Sequence, residues 1–257
     1  MTEKRTALLI AATLFGAMPA FAEVNVISSG GFTAAYKELV PACEAKIGHK
    51  VVSAYGASMG AAPDAIPNRL ARGEPADVVI LAGDAFDKLV KDGKGMAGTR
   101  TDLARSAIGL SVKAGTPKPD ISTVEALRKT LMEAKSIAYS ASASGTYLSE
   151  ELFPKLDPSG QVMAKSKKIF SERVGTVVAR GDAELGFQQV SELIPIEGLE
   201  FVGTLPEEIQ KVTIFSAGLA AGAKEPDAAK ALIACLGGTD AAPTIRKTGL
   251  DPIPAKK

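Results

Sequence analysis

The chain has 257 residues, 46% of them hydrophobic and 23% charged, with a formal net charge of +1. That much apolar material supports a sizeable core, as one large domain or as two lobes. So even a balance excludes the broad basic surface that nucleic acid or an anionic membrane demands, and any anion site must be built locally.

Lys4 and Arg5 give a positive start, residues 6–18 form an apolar run, and Ala20-Phe21-Ala22 supplies a small-x-small cleavage pattern. A signal peptide is expected over 1–22, with a mature chain from Glu23 that is exported to the periplasm. The apolar run is shorter than the about 20 residues a spanning helix needs. No later stretch is long and uncharged enough to cross a bilayer, so the mature chain is not expected to span a membrane.

From Glu23 onward strand and helix signals alternate. Strands are expected over 24–28, 51–55 and 77–81, each followed by a helix (32–46, 64–71 and 86–91) that stops at Gly48, Gly73 or Gly93. Further on, strands are expected over 107–113, 136–139, 184–188, 201–202 and 212–217. Helices are expected over 124–134, 147–155, 173–179, 227–236 and 241–247. The alternation argues for an α/β architecture with largely parallel sheets. Cys43 and Cys235 fall in helical runs far apart in sequence. In an oxidising compartment they either pair or serve as two small buried apolar residues, and the sequence leaves both open.

Four strand-to-helix junctions are rich in Gly and Ser. They are Ser28-Ser29-Gly30-Gly31, Tyr55-Gly56-Ala57-Ser58-Met59-Gly60, Ser140-Ala141-Ser142-Ala143-Ser144-Gly145-Thr146 and Ser171-Glu172-Arg173. The first N–H groups of a helix lack partners inside it and carry partial positive charge. Glycine lets the main chain come close to a ligand, and ligands of open α/β sheets collect beyond the carboxyl ends of the strands. Ser before a helix is often only a cap, but the seven-residue run at 140–146 exceeds what a cap needs. Ser29, Gly30, Gly31, Ser58, Met59, Ser142, Ser144, Gly145 and Thr146 are therefore candidate ligand-binding residues.

The run 24–81 resembles the first lobe of the periplasmic molybdate-binding protein family, type 2 solute-binding proteins. The likeness rests on strand, small-residue turn and helix at 26–36, on Tyr55-Gly56-Ala57-Ser58, and on Arg72-Gly73-Glu74-Pro75-Ala76-Asp77. Val178-Ala179-Arg180-Gly181-Asp182-Ala183-Glu184-Leu185-Gly186-Phe187 is similar to an element of the second lobe. The resemblance implies a two-lobed fold with a ligand cleft between lobes joined by two crossing strands. Lobe 1 would comprise 23–102 plus 210–257 and lobe 2 residues 103–209. It also implies capture of a small anion for ABC-type uptake, with a transporter permease as partner.

The family's pocket uses Ser hydroxyls on the first two loops and a Tyr on a later strand. The matching positions here are Gly31, Ser58 and Gln189. A larger, flatter ligand with hydrogen-bonding edges suits Gly, Gln and the guanidinium groups of Arg69 and Arg173, which match carboxylates in a bidentate way. An organic polycarboxylate thus joins the oxyanions as a candidate ligand. Ser28-Ser29-Gly30-Gly31-Phe32 and the run 138–145 also resemble the bacterial aconitate isomerases, relatives of the same fold that interconvert cis- and trans-aconitate. That resemblance implies a second reading, isomerisation by proton transfer.

The sequence points to no metal and no cofactor. There is one histidine, His49, no zinc spacing, no Walker loop and no Gly-x-Gly-x-x-Gly directly after an expected strand. An isomerase would need only a positioned acid or base in a dry cleft, for which Tyr55, Tyr147 and Glu172 are the candidates on the expected loops.

Overall fold

The computed structural model describes residues 23–170 and 172–253. The expected signal peptide and Ser171 of the fourth junction lie outside them. In chain order the strands are β1 (Val24–Ser29), β2 (Val51–Gly56), β3 (Val78–Ala82), β4 (Thr101–Ser106), β5 (Ile108–Lys113), β6 (Ile137–Ser140), β7 (Ser166–Ile169), β8 (Leu185–Gln189), β9 (Leu199–Thr204), β10 (Thr213–Leu219) and β11 (Asp251–Pro252). They form two sheets, one ordered β11-β4-β10-β3-β1-β2 and the other β7-β6-β8-β5-β9.

The sheets are mixed, which corrects the expectation of largely parallel ones. β1 runs parallel to β2 and β3, and β6 runs parallel to β7 and β8. β10 runs antiparallel to β3 and β4, and β5 antiparallel to β8 and β9. The reason lies in the crossovers. Strands β1, β6 and β8 end toward the region between the sheets, whereas β5 and β10 arrive from the opposite sheet and enter at that same end. The two crossovers are tied together by Gln210, which accepts from the Ile108 N–H (2.9 Å) and donates to the Ile108 carbonyl (2.9 Å).

In the first sheet, Val24, Val26, Val78 and Ile80 pack with Phe32, Tyr36, Leu39 and Cys43 of the helix Gly30–Ile47. That helix stops where Gly48 takes φ 68°, a left-handed conformation that glycine adopts without steric cost. Asp77 explains the Gly-x-Pro-Ala-Asp pattern. Its carboxylate accepts from the N–H groups of Asn25 (2.7 Å), Lys224 (2.6 Å) and Glu225 (3.0 Å). Burial opposes its charge, but these donors outweigh burial and hold it below the usual carboxylate range. On the second sheet Tyr139 and Phe187 each meet Phe153 of the helix Phe153–Leu156 edge to face, with centroids 6.1 and 5.8 Å apart.

Three strands escape the sequence reading, one of them the two-residue β11. β4 (Thr-Asp-Leu-Ala-Arg-Ser) and β7 (Ser-Lys-Lys-Ile) carry polar side chains along short, partly exposed elements, so neither shows a clean apolar signal. The helix expected from Tyr147 begins earlier, at Ala143.

Cys43 and Cys235 pair. The bond joins the helix Gly30–Ile47 to the helix Pro226–Leu236, with Cα atoms 5.9 Å apart. A cross-link that closes a 192-residue separation restricts the unfolded chain strongly. Reduction, or replacement of both cysteines by serine, is expected to lower stability by about 2–4 kcal/mol. Urea titration with and without dithiothreitol checks this, and coincident midpoints would contradict it.

Candidate functional site

Between the sheets lies a cavity of about 320 Å³, the size range of small-molecule pockets. Its wall is made by the ends of strands and the starts of helices. Ser29, Gly30 and Gly31 come from the end of β1 and the helix after it, and Tyr55 and Ser58 from the end of β2 and the loop after it. Ser140, Ser142 and Ser144 come from the end of β6, and Glu172 and Arg173 from the approach to the helix Val174–Arg180. Gln188, Gln189 and Glu192 come from the end of β8 and the short helix Val190–Leu193, and Phe215 from β10.

All four expected junctions therefore converge, and with them Ser29, Gly30, Gly31, Tyr55, Ser58, Ser142, Ser144, Glu172, Arg173 and Gln189. Five expected residues do not line this cavity. Met59, Thr146 and Tyr147 line a neighbouring cavity of about 330 Å³, and the Tyr147 hydroxyl donates to the Ile209 carbonyl (2.7 Å). Arg69 is committed to the Glu74 carboxylate, through Nε at 2.8 Å and through Nη2, and to the Tyr55 carbonyl. Gly145 is buried behind the wall, where an added Cβ would run into the Ser140 carbonyl.

The glycines at the first junction serve close approach. A Cβ built on Gly30 would sit 2.0 Å from Glu192 Oε1, and one on Gly31 would sit 2.0 Å from the Phe215 ring. The Gly31 carbonyl accepts from the Ser191 hydroxyl (2.6 Å), so the two sheets' loops bond directly.

Two buried polar atoms on the wall, Ser29 Oγ and Gln189 Oε1, have no hydrogen-bond partner among the described residues; their residues are 1% and 2% exposed. An unpaired buried polar atom costs about 1–3 kcal/mol, which a polar ligand that reached these two would recover. Gln189 Nε2 is held by Thr213 Oγ1 (2.9 Å). Ser58 Oγ accepts from the Ala82 N–H (3.0 Å), which leaves its hydroxyl hydrogen to donate. Positive charge comes from the half-buried Arg173 and from Lys37, whose Nζ lies 4.9 Å from the centre of the Tyr55 ring.

Glu172 is engaged by Arg180 through two bonds (2.6 and 3.0 Å), which hold its carboxyl below the usual range. Glu192 is the opposite case. Burial pushes its carboxyl up to about 7, against the nearby Arg173 charge and the hydrogen bond from Gln188 Nε2 (2.9 Å). Gln188 in turn accepts from the Val174 N–H (3.0 Å), so Glu192 is fixed to the start of a helix. The sequence reading missed Glu192, Gln188, Lys37 and Phe215. The signal for Glu192 was a fifth strand-to-helix junction, Gln189-Val190-Ser191-Glu192, which lacks the glycines that drew attention to the other four.

Among the described residues no group of three His, Cys, Asp or Glu side chains could hold a metal ion, and no helix is long and apolar enough to cross a membrane.

The sequence profile of the bacterial extracellular solute-binding proteins matches residues 24–251. An aconitate isomerase from Pseudomonas sp. is 47% identical over 250 residues, covering 97% of this chain and 95% of that protein. The molybdate-binding protein ModA of Azotobacter vinelandii is 30% identical, over 95% of this chain and 96% of its own length. Among solved structures, the periplasmic molybdate-binding protein of Azotobacter vinelandii superposes with a TM-score of 0.70 at 21% identity, covering 88% of this chain and 98% of that one. The two mixed sheets with helices between them, and the cavity where their strands end, are thus the architecture of periplasmic binding proteins, and the chain belongs to the family of bacterial extracellular solute-binding proteins.

Proposed function

We propose that the protein captures an organic polycarboxylate between its two sheets and interconverts cis- and trans-aconitate by shifting the double bond. The observation that carries this reading is the full-length similarity, 47% identity over 97% of the chain, to a protein named as an aconitate isomerase. The cavity supports it chemically. Two cations, Arg173 and Lys37, can each meet a carboxylate. Ser29 Oγ, the Ser58 hydroxyl and Gln189 Oε1 offer both donors and an acceptor to a partly protonated or hydrogen-bonding edge. The sequence alone put capture first and isomerisation second. Capture is common to both readings, and the degree of similarity to the isomerase moves the chemical step forward.

The same reading places the mature chain in the periplasm. It is supported by the charged start, apolar run and cleavage pattern within 1–22, by the extracellular family, and by a disulfide suited to an oxidising compartment. We assign the segments 23–102 and 210–257 to one lobe and 103–209 to the other, with hinge motion at the crossovers that Gln210 ties together.

A second reading, delivery of a small anion to an ABC-type permease, is favoured by the family match and by the molybdate-binding relative. The two are separated by one incubation. Purified protein with cis-aconitate, followed by chromatography, is expected to yield trans-aconitate over many turnovers. A melting shift with molybdate and no turnover would favour the receptor instead. Replacing Arg173 by Gln is expected to weaken binding of tricarballylate, the saturated analogue of aconitate, by about 10–100-fold, the worth of one charge-assisted hydrogen bond. Unchanged affinity by calorimetry would remove Arg173 from the site.

A further inference from the structure

The geometry points to Glu192 as the catalytic residue that moves the proton, with Gly30 as the residue that positions it. This rests on the polycarboxylate reading of the cavity and goes beyond it, since neither residue's role follows from similarity. Glu192 stands on the wall between elements of both sheets. Gly30 leaves the space that its carboxylate occupies, Gln188 donates to Oε1 at 2.9 Å, and Ser191 beside it binds the Gly31 carbonyl. Two of its competitors are otherwise committed. Glu172 is paired with Arg180, and Tyr147 donates to Ile209 outside the cavity.

The step balances without any co-reactant. Ionised Glu192 takes a proton from the methylene carbon of cis-aconitate, so that a C–H bond breaks and an O–H bond forms. The electron pair spreads over the three-carbon allyl unit and its carboxylates, where Arg173 lies close enough to offset the charge. The proton then goes to the former vinyl carbon, and the double bond is left one position along. Because the two ends of the unit carry the same groups, the product is again aconitate, now with the trans arrangement.

The base must be ionised to begin, and its carboxyl titrates near 7. The groups that face it are Arg173 and Gln188, with Lys37, Tyr55, Asp64 and Glu172 elsewhere on the same wall. Activity with cis-aconitate should therefore rise through an acid limb near pH 7, as kcat/KM reports the free enzyme. The sign for stability is the reverse. The folded carboxyl binds its proton more tightly than the unfolded one, so between the ordinary Glu value and about 7 stability falls as pH rises.

The decisive experiment uses the whole mature protein with cis-aconitate in D2O, read by proton NMR. The wild type is expected to form trans-aconitate with deuterium appearing at the carbon that receives the proton. Glu192→Gln is expected to lose at least about 100-fold in both isomerisation and exchange, the scale of a missing general base. It should still show a melting shift with tricarballylate, and a higher melting point than wild type at pH 8 but not at pH 5. Gly30→Ala pushes on the free end of a flexible side chain, so it should fold and lose kcat more than it changes KM. A wild type that does not turn over would overturn the polycarboxylate reading itself. An active wild type with either a Glu192→Gln variant within tenfold of it or an unaffected Gly30→Ala variant would overturn the assignment alone.

Discussion

The site depends on how closely two main chains can approach at Gly30 and Gly31. Here the end of one sheet and the loop beyond the other meet with no side chain on the glycines themselves. The Gly31 carbonyl takes the Ser191 hydroxyl, the Phe215 ring lies against Gly31, and the Glu192 carboxyl fills the space over Gly30. A methyl group at either glycine would collide within 2.0 Å. In a relative built for a compact oxyanion, a serine hydroxyl could stand where Gly31 stands. The glycine gives up that donor, and the Phe215 ring takes the space. The closeness also explains why Glu192 is desolvated, and hence why its carboxyl holds its proton unusually well.

In a chain with a net charge of +1, the positive charge on the cavity wall is placed rather than accumulated. Several of its acidic and basic groups pair on the surface, as Arg180 does with Glu172 and Asp182, and Lys211 with Glu151. Such exposed pairs add little to stability. Arg173 and Lys37 stand on the cavity wall, and the unpaired Ser29 Oγ and Gln189 Oε1 add hydrogen-bonding capacity there. The protein carries the cost of those orphan atoms in the site, and a ligand that satisfies them recovers it. Binding should accordingly stabilise the fold by mass action and draw the two sheets' loops together.

Much of this was legible in the sequence because the physics is local. A run such as Val78-Val79-Ile80-Leu81 has no plausible place but a strand covered on both sides, and small residues between strand and helix announce where a backbone must come close. What the sequence could not show depends on the path of the chain. The sense of β5 and β10 is set by where the crossovers enter, which no local pattern records. β4 and β7 were hidden because their polar side chains suit short elements with exposed faces. Arg69 and Arg173 look alike in sequence, yet Arg69 has Glu74 five residues away and spends its guanidinium there. Glu192 was overlooked because an acidic residue in the first turn of a short helix ordinarily only complements the dipole. Its burial against Gly30, 162 residues earlier in the chain, is a tertiary fact.

The central claim is that a polycarboxylate lies in this cavity with its reactive carbons against Glu192. The most direct measurement is a crystal structure of the protein with tricarballylate, which cannot react. The account predicts the ligand between the two sheets, a carboxylate on Arg173, hydrogen bonds to Ser29 and Gln189, and a methylene carbon within contact of the Glu192 carboxyl. Tricarballylate bound elsewhere, or with its methylene carbons turned away from Glu192, would contradict it.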